Sequence, residues 1–162
     1  MSTMRSLGSL GFFSTVVVMA VITGGQFTGG DWYQTMNQPS WNPPGIVMAS
    51  VWAVMYVLMA VSAWMVWEAK RGLAAVALAW WSLQLPLSIC WSWMYFGLHR
   101  PGWALAVMSL WLPVVFIVSR TFRSAQPEAS TLMLPVAGWL LFSWLLNLVQ
   151  WHLNGGSLGS VF

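Results

Sequence analysis

Apolar runs and polar interruptions alternate along this chain. The runs cover residues 7–27, 45–67, 73–98, 103–118 and 131–153. Each approaches or exceeds the roughly 20 residues that a helix needs to cross the hydrocarbon core of a bilayer. The pattern predicts an all-α membrane protein, a five-transmembrane-helix bundle forming one domain over residues 1–162. Three of the interruptions are short or moderate. Glu68 to Gly72 reads as a tight charged turn, His99 to Gly102 as a very short connector, and Arg120 to Ser130 as a polar loop. Pro86 and Pro113 lie inside the third and fourth runs, where each removes one backbone bond, so kinks are expected. The residues from Asn154 onward read as a Gly/Ser-rich, mobile tail.

The remaining interruption, residues 29–44, is the longest. Its stretch from Asp31 to Pro44 carries two Trp, one Tyr, two Asn and three Pro. Proline fixes φ and restricts the residue before it, so this loop has little conformational freedom to lose on ordering. A stiff polar segment between membrane spans sits at a water boundary. Its rings Trp32, Tyr33 and Trp41 suit two roles, an interfacial aromatic belt first and a lid over the mouth of the bundle second.

Composition narrows the class. Only 6% of the 162 residues are charged and 59% are hydrophobic, against about 25% charged in a soluble domain. Such a chain cannot cover a water-facing surface, so its solvent is lipid. The net charge of +3 rests on few residues and bears on membrane orientation, not on nucleic-acid binding. With the N-terminus in the cytoplasm, Arg5, Lys70, Arg71, Arg120 and Arg123 fall on the inner face and Arg100 alone on the outer. That is a positive-inside bias, and it fits helical spans in a bacterial inner membrane. A positively charged start before an apolar run can also be a cleaved leader. No small-residue cleavage site follows here, and the run is long enough to span.

Fourteen tryptophans are the compositional outlier. Belts absorb some of them, but Trp80, Trp81, Trp91, Trp93, Trp111, Trp139 and Trp144 fall within or near the middle of apolar runs. A buried indole needs room and a partner for its N–H, which favours an aromatic-lined cavity. Acid–base and metal chemistry find little support. Asp31, Glu68 and Glu128 sit between spans, and His99 and His152 lie at span ends, where an interfacial role outweighs haem ligation. The lone Cys90 behaves as a small hydrophobe.

Aromatic and amide groups remain as the candidate chemistry. Trp52 and Tyr56 are four apart and share a helix face. Gln84, Ser88 and Trp91 follow i, i+4, i+7. Trp139, Phe142 and Asn147 lie near one another along the fifth span. Polar side chains at membrane depth either hold neighbouring helices together or face a cavity, and for Gln84, Ser88 and Asn147 both readings stand. Ala75-x-x-x-Ala79 is a small-x-x-x-small pattern suited to close helix approach.

These residues resemble a known family. W-Y-x-x-M-N-Q-P-S-W-N-P-P (Trp32 to Pro44) followed by V-W-A-V-M-Y (Val51 to Tyr56) resembles the signature of the translocator protein family, the tryptophan-rich sensory proteins or peripheral benzodiazepine receptor homologues. Gln84 to Arg100 and Pro135 to Asn147 resemble its third-span and fifth-span motifs. The resemblance implies a homodimeric five-helix bundle, with Ala75 and Ala79 on the dimer face and a pocket closed by the first long loop. It implies porphyrin-type or related tetrapyrrole ligands, carried or sensed rather than covalently attached, with sterols in some members. Photo-oxidative porphyrin breakdown is one alternative activity; the other is a structural or assembly membrane protein whose tryptophans serve only packing. Carried over by position, the ligand-binding set is Trp41, Trp52, Tyr56, Gln84, Ser88, Trp91, Trp139 and Asn147. The neighbouring Trp32, Asn42, Pro43 and Phe142 complete the candidates. Arg100 is the candidate partner for ring propionates. Three departures bear on function. Ser88 stands for the usual Asn and Val136 for the usual Tyr, and Leu148 stands where some porphyrin-degrading members have Trp. The family's sterol motif is absent, which lowers the expectation of sterol binding.

Overall fold

The computed structural model describes residues 2–27, 30–69 and 72–156. Gly29, Lys70 and Arg71, and the side chain of Arg5, lie outside the described residues, and with them part of the expected charge asymmetry. The chain is all-α among the described residues. Its helices are α1 (Ser2–Gly25), α2 (Gly30–Thr35), α3 (Gly45–Ala69), α4 (Ala74–Ser82), α5 (Gln84–Ser92), α6 (Pro101–Ala125) and α7 (Pro127–Leu153). A π-helical turn, Trp93–Gly97, continues α5. Five helical segments are long and apolar enough to span a membrane: Ser6–Gly25, Gly45–Ala69, Ala74–Gly97, Pro101–Ala125 and Pro127–Leu153. The protein is a multi-pass membrane bundle.

Proline explains several of the boundaries. α6 and α7 each start with Pro in the first turn, where a missing N–H costs nothing. Residues 120–130 form no loop, contrary to the expectation from their polarity. α6 continues to Ala125, α7 begins at Pro127, and Gln126 alone joins them in an extended conformation, as the residue before proline prefers. The helix survives its polar residues because their hydroxyls bond back to it. Thr121 Oγ1 donates to the Ile117 carbonyl at 2.9 Å and Thr131 Oγ1 to the Pro127 carbonyl at 3.3 Å, while Ser130 Oγ on α7 reaches across to the Ser119 carbonyl of α6 at 2.8 Å and ties the two helices together. Pro113 and Pro135 sit inside α6 and α7 without breaking them. Pro86 acts differently: it leaves the Ser82 carbonyl without its usual donor, and the third span breaks at Leu83 between α4 and α5.

α6 and α7 form the central pair. α7 also packs on α3, α1 packs on α3 and α5, and α4 and α5 pack on α6. Ala104, Met108, Trp111, Val115, Val118 and Phe122 line the buried face of α6 at helical spacing. Several indoles pin helices together. Trp81 Nε1 donates to the Met59 carbonyl at 3.0 Å, Trp144 Nε1 to Ser109 Oγ at 2.9 Å, and Trp64 Nε1 to the Ser6 carbonyl at 3.1 Å. Beside the last of these, Ser9 donates to the Glu68 carboxylate at 2.6 Å, which ties α1 to the end of α3. Trp67, Trp93 and Trp103 face outward.

The π-helical turn depends on Gly97. A Cβ there would stand 2.9 Å from ring carbons of both Phe27 and Trp93. The end of α1 therefore closes on the third span only because this residue has no side chain. We expect Gly97→Ala to destabilise the bundle by about 1–3 kcal/mol through overpacking. Gly138→Ala, where nothing lies within 4 Å, should hold or gain stability. Thermal unfolding of the two variants in the same detergent checks both.

Candidate functional site

A cavity of about 500 Å³ lies between the end of α1, the first half of α3, the third span and α6. One wall is aromatic. Trp52 sits at its centre, stacked on Trp111 (centroids 5.8 Å, planes 22° apart) and tilted against Tyr56 at 5.7 Å and Trp91 at 6.3 Å. Trp91 in turn meets Phe96 edge-on at 5.7 Å. The opposite rim is small: Gly24 and Gly25 on α1, and Gly45, Ala49 and Ala53 on α3. Those three α3 positions recur every four residues and are exposed, so they leave a slot that opens sideways between α1 and α3. No charged residue is among the lining residues. The indole N–H groups of Trp52 and Trp111 are buried with no acceptor among the described residues.

A buried amide sets the position of Trp91. Asn147 Oδ1 accepts from Trp91 Nε1 at 3.1 Å, and Asn147 Nδ2 donates to the Pro101 carbonyl at 3.0 Å. The loop over residues 30–44 is held by the same face of α7, one and two turns further on. Gln150 Nε2 donates to Gln38 Oε1 at 2.6 Å, and Gln150 Oε1 accepts from the Tyr95 hydroxyl at 2.6 Å. Asn154 Oδ1 accepts from the Asn37 N–H at 2.9 Å, and Asn154 Nδ2 donates to the Asn37 carbonyl at 3.0 Å. Asn154 is therefore a buried anchor of the loop, not the start of a loose tail. The loop also inserts Met36, 5% exposed, beside Tyr95. It presents Tyr33 to the cavity, where the ring packs on Phe96 at 5.8 Å and its hydroxyl accepts from Asn42 Nδ2 at 3.3 Å.

Of the candidates named from the sequence, Trp52, Tyr56 and Trp91 line this cavity. Asn42 and Asn147 act one step removed, by holding Tyr33 and Trp91. The others lie elsewhere, each for a visible reason. Trp32 stacks on His99 (4.4 Å, 14°) at the outer side of the third span. Trp41 packs edge-on against Phe142 at 5.8 Å and Phe142 stacks on Trp139 at 5.0 Å, so these three rings form a separate cluster against α7. Pro43 is not among the lining residues. Gln84 and Ser88 are enclosed in the helix core. Ser88 bonds to its own helix at the Leu85 carbonyl, and the Gln84 amide has no partner among the described residues. Arg100 is not in the lining.

Tyr33, noted as a lid ring, and Trp111, noted as a mid-run indole, also line the cavity, and Phe27 and Phe96, not singled out from the sequence, complete its aromatic lining. The signals for this side of the protein were two spacings: Gly45-Ala49-Ala53, and Asn147-Gln150-Asn154 at i, i+3, i+7 on an otherwise apolar helix. Ala75 and Ala79 are exposed on the outside of α4 while Ala77 between them is buried. Among the described residues no cluster of three His, Cys, Asp or Glu could hold a metal ion.

Comparison with known proteins agrees with the architecture. The sequence profile of the TspO/MBR family matches residues 12–152. Over 154 residues the chain is 32% identical to Protein CrtK of Rhodobacter capsulatus, covering 93% of this chain and 96% of that protein. It is 30% identical over 153 residues to Translocator protein of Homo sapiens, with coverage of 91% and 90%. It is 32% identical over 133 residues to Tryptophan-rich sensory protein of Cereibacter sphaeroides, with 82% of each chain covered.

The amide contacts to the loop make a direct prediction. Asn154→Ala removes both side-chain bonds to Asn37, along with one to the Gln150 carbonyl at the very end of α7. At about 1 kcal/mol per bond, the Asn37 amide should exchange with deuterium at least tenfold faster. Amides in the middle of α6 should be unchanged, and hydrogen-exchange mass spectrometry reads both.

Proposed function

The chain belongs to the TspO/MBR family, and from that premise we propose that it binds a porphyrin or related tetrapyrrole in the cavity beneath the loop. One observation carries this reading: a wall of stacked rings, with no charged residue in it, faces a slot bordered by glycine and alanine. A flat macrocycle offers two apolar faces to such a wall, and burying them is the main source of affinity. The unpaired N–H groups of Trp52 and Trp111 supply donors for its polar edge. A cavity of about 500 Å³ falls within the range of sites for ligands of drug-like size. The charged propionates of a tetrapyrrole would stay outside the lining, toward the water boundary at the loop.

The names of the relatives speak of translocation and sensing, and the geometry is compatible with both. The lateral slot between α1 and α3 gives a lipid-dissolved ligand a route in, and the loop closes the water-facing end. We assign the protein to carriage or sensing of tetrapyrroles, in a bacterial inner membrane with the N-terminus in the cytoplasm. We place the contact of a homodimer at the exposed Ala75 and Ala79 face of α4.

Two measurements test this. Protoporphyrin IX should quench the intrinsic fluorescence saturably. Trp52→Ala should weaken its affinity on the order of tenfold, and Trp139→Phe, outside the cavity, by less than about twofold. Equal losses in the two variants, or no saturation in the native protein, would count against the cavity. For the dimer, an Ala79→Cys/Cys90→Ser variant should form a disulfide-linked pair on mild oxidation in membranes. An unlinked chain would remove α4 from the interface.

A further inference from the structure

At the opposite end of the bundle from the loop lies a second, smaller hollow of about 240 Å³, lined by Leu73, Val76, Arg120, Thr121 and Ser124. It sits where the start of α4 meets the last turns of α6. We propose that this hollow binds the headgroup of an anionic glycerophospholipid, independently of the ligand assigned to the large cavity.

The chemistry is that of a phosphodiester held at the edge of an apolar surface. Arg120 supplies a permanent cation whose planar fork of N–H donors matches phosphate oxygens. No carboxylate is among the lining residues to neutralise it. Ser124 adds a second donor. Its hydroxyl contact to the Arg120 carbonyl measures 3.5 Å, long against the usual 2.7–2.8 Å for a hydroxyl bond, so it can turn to an incoming oxygen at little cost. Thr121 is different: its hydroxyl is committed to the Ile117 carbonyl at 2.9 Å, and it contributes wall. The first turn of α4 has no side-chain cap, so its free N–H groups add weak positive potential on the same side.

The rest of the hollow decides between a lipid and a free anion. Leu73 and Val76 are 56% and 53% exposed, an unfavourable surface for a site that took only inorganic phosphate. From the hollow the apolar surface continues toward the middle of the bilayer. Leu83, at the break just after α4, and Phe116, one turn before Arg120 on α6, are both exposed. A headgroup on Arg120 and Ser124 would therefore lay its acyl chains along Val76, Leu83 and Phe116. Basic hollows between spans at one membrane face are suited to such lipids.

The test uses the full chain in phosphatidylcholine vesicles containing spin-labelled phosphatidylglycerol or spin-labelled phosphatidylcholine. Electron spin resonance gives the protein-associated fraction of each label. One arginine contact should favour phosphatidylglycerol roughly fivefold. Arg120→Gln should bring that preference below about twofold, while Arg123→Gln on the neighbouring exposed position keeps most of it. Unchanged protoporphyrin quenching in Arg120→Gln would confirm that the variant is folded. Equal association of the two labels with the native protein overturns the proposal. Equal losses in the two arginine variants also overturn it, because they would mean a diffuse charge with no site. Loss of the preference on adding inorganic phosphate equimolar to the lipid, at constant ionic strength, would replace the lipid with a free anion and overturn it as well.

Discussion

A single buried amide joins three helices of this bundle. Asn147 accepts the Trp91 indole N–H from α5 and gives its own N–H to the Pro101 carbonyl at the start of α6. It is 1% exposed, and neither lipid nor an apolar neighbour could replace these partners. Leaving such a group unpaired costs about 1–3 kcal/mol, so the three elements have one low-energy arrangement. That arrangement turns the Trp91 ring toward Trp52 and fixes one wall of the cavity. Gln150 and Asn154 repeat the same physics toward the end of α7, there directed at Tyr95 and at the loop. The face of α7 that looks like helix-to-helix glue thus also decides where the rings stand.

The two ends of the bundle are specialised differently. At the loop end, amides and tyrosines hold a stiff proline-rich segment over an uncharged cavity. At the other end, α1 and α3 are tied by Ser9–Glu68 and Trp64–Ser6 contacts, and α6 passes to α7 through one residue. The asymmetry matches the division of labour that the family assignment suggests. In the proposed reading, one end would admit and cover a ligand, and the other is pinned and carries Arg120 and Arg123.

Much of the fold was legible because it follows from period and length. Five apolar runs of spanning length can bury their backbone polar groups only as helices. The polar run 120–130 misled because polarity was read as a loop, when serine and threonine can bond back to their own helix. The site was legible only in part. Trp52, Tyr56 and Trp91 followed from helical spacing, but spacing gives the face of one helix and not which faces meet. Trp41, Trp139 and Phe142 are equally aromatic and belong to another cluster, because the loop carries Trp41 across to α7. Gln84 and Ser88 share a stripe of α5 with Trp91, yet they are enclosed in the core at 0% and 2% exposure, because spacing along one helix does not tell which part of its face meets neighbouring helices and which meets the cavity. Trp111 stood among the mid-run indoles that favour a cavity, but nothing in its spacing set it apart from Trp80, Trp81 or Trp144, which do not line it.

The account stands on the claim that the α7 amides act on the ligand through the rings they hold. A double-mutant cycle on protoporphyrin affinity with Asn147→Leu and Trp91→Phe measures that directly. If Asn147 works by placing Trp91, its loss should weaken binding in the native background and add little once the indole N–H is gone, a coupling of about 1 kcal/mol. Strictly additive effects would contradict the account, because the amide and the ring would then contribute to binding separately.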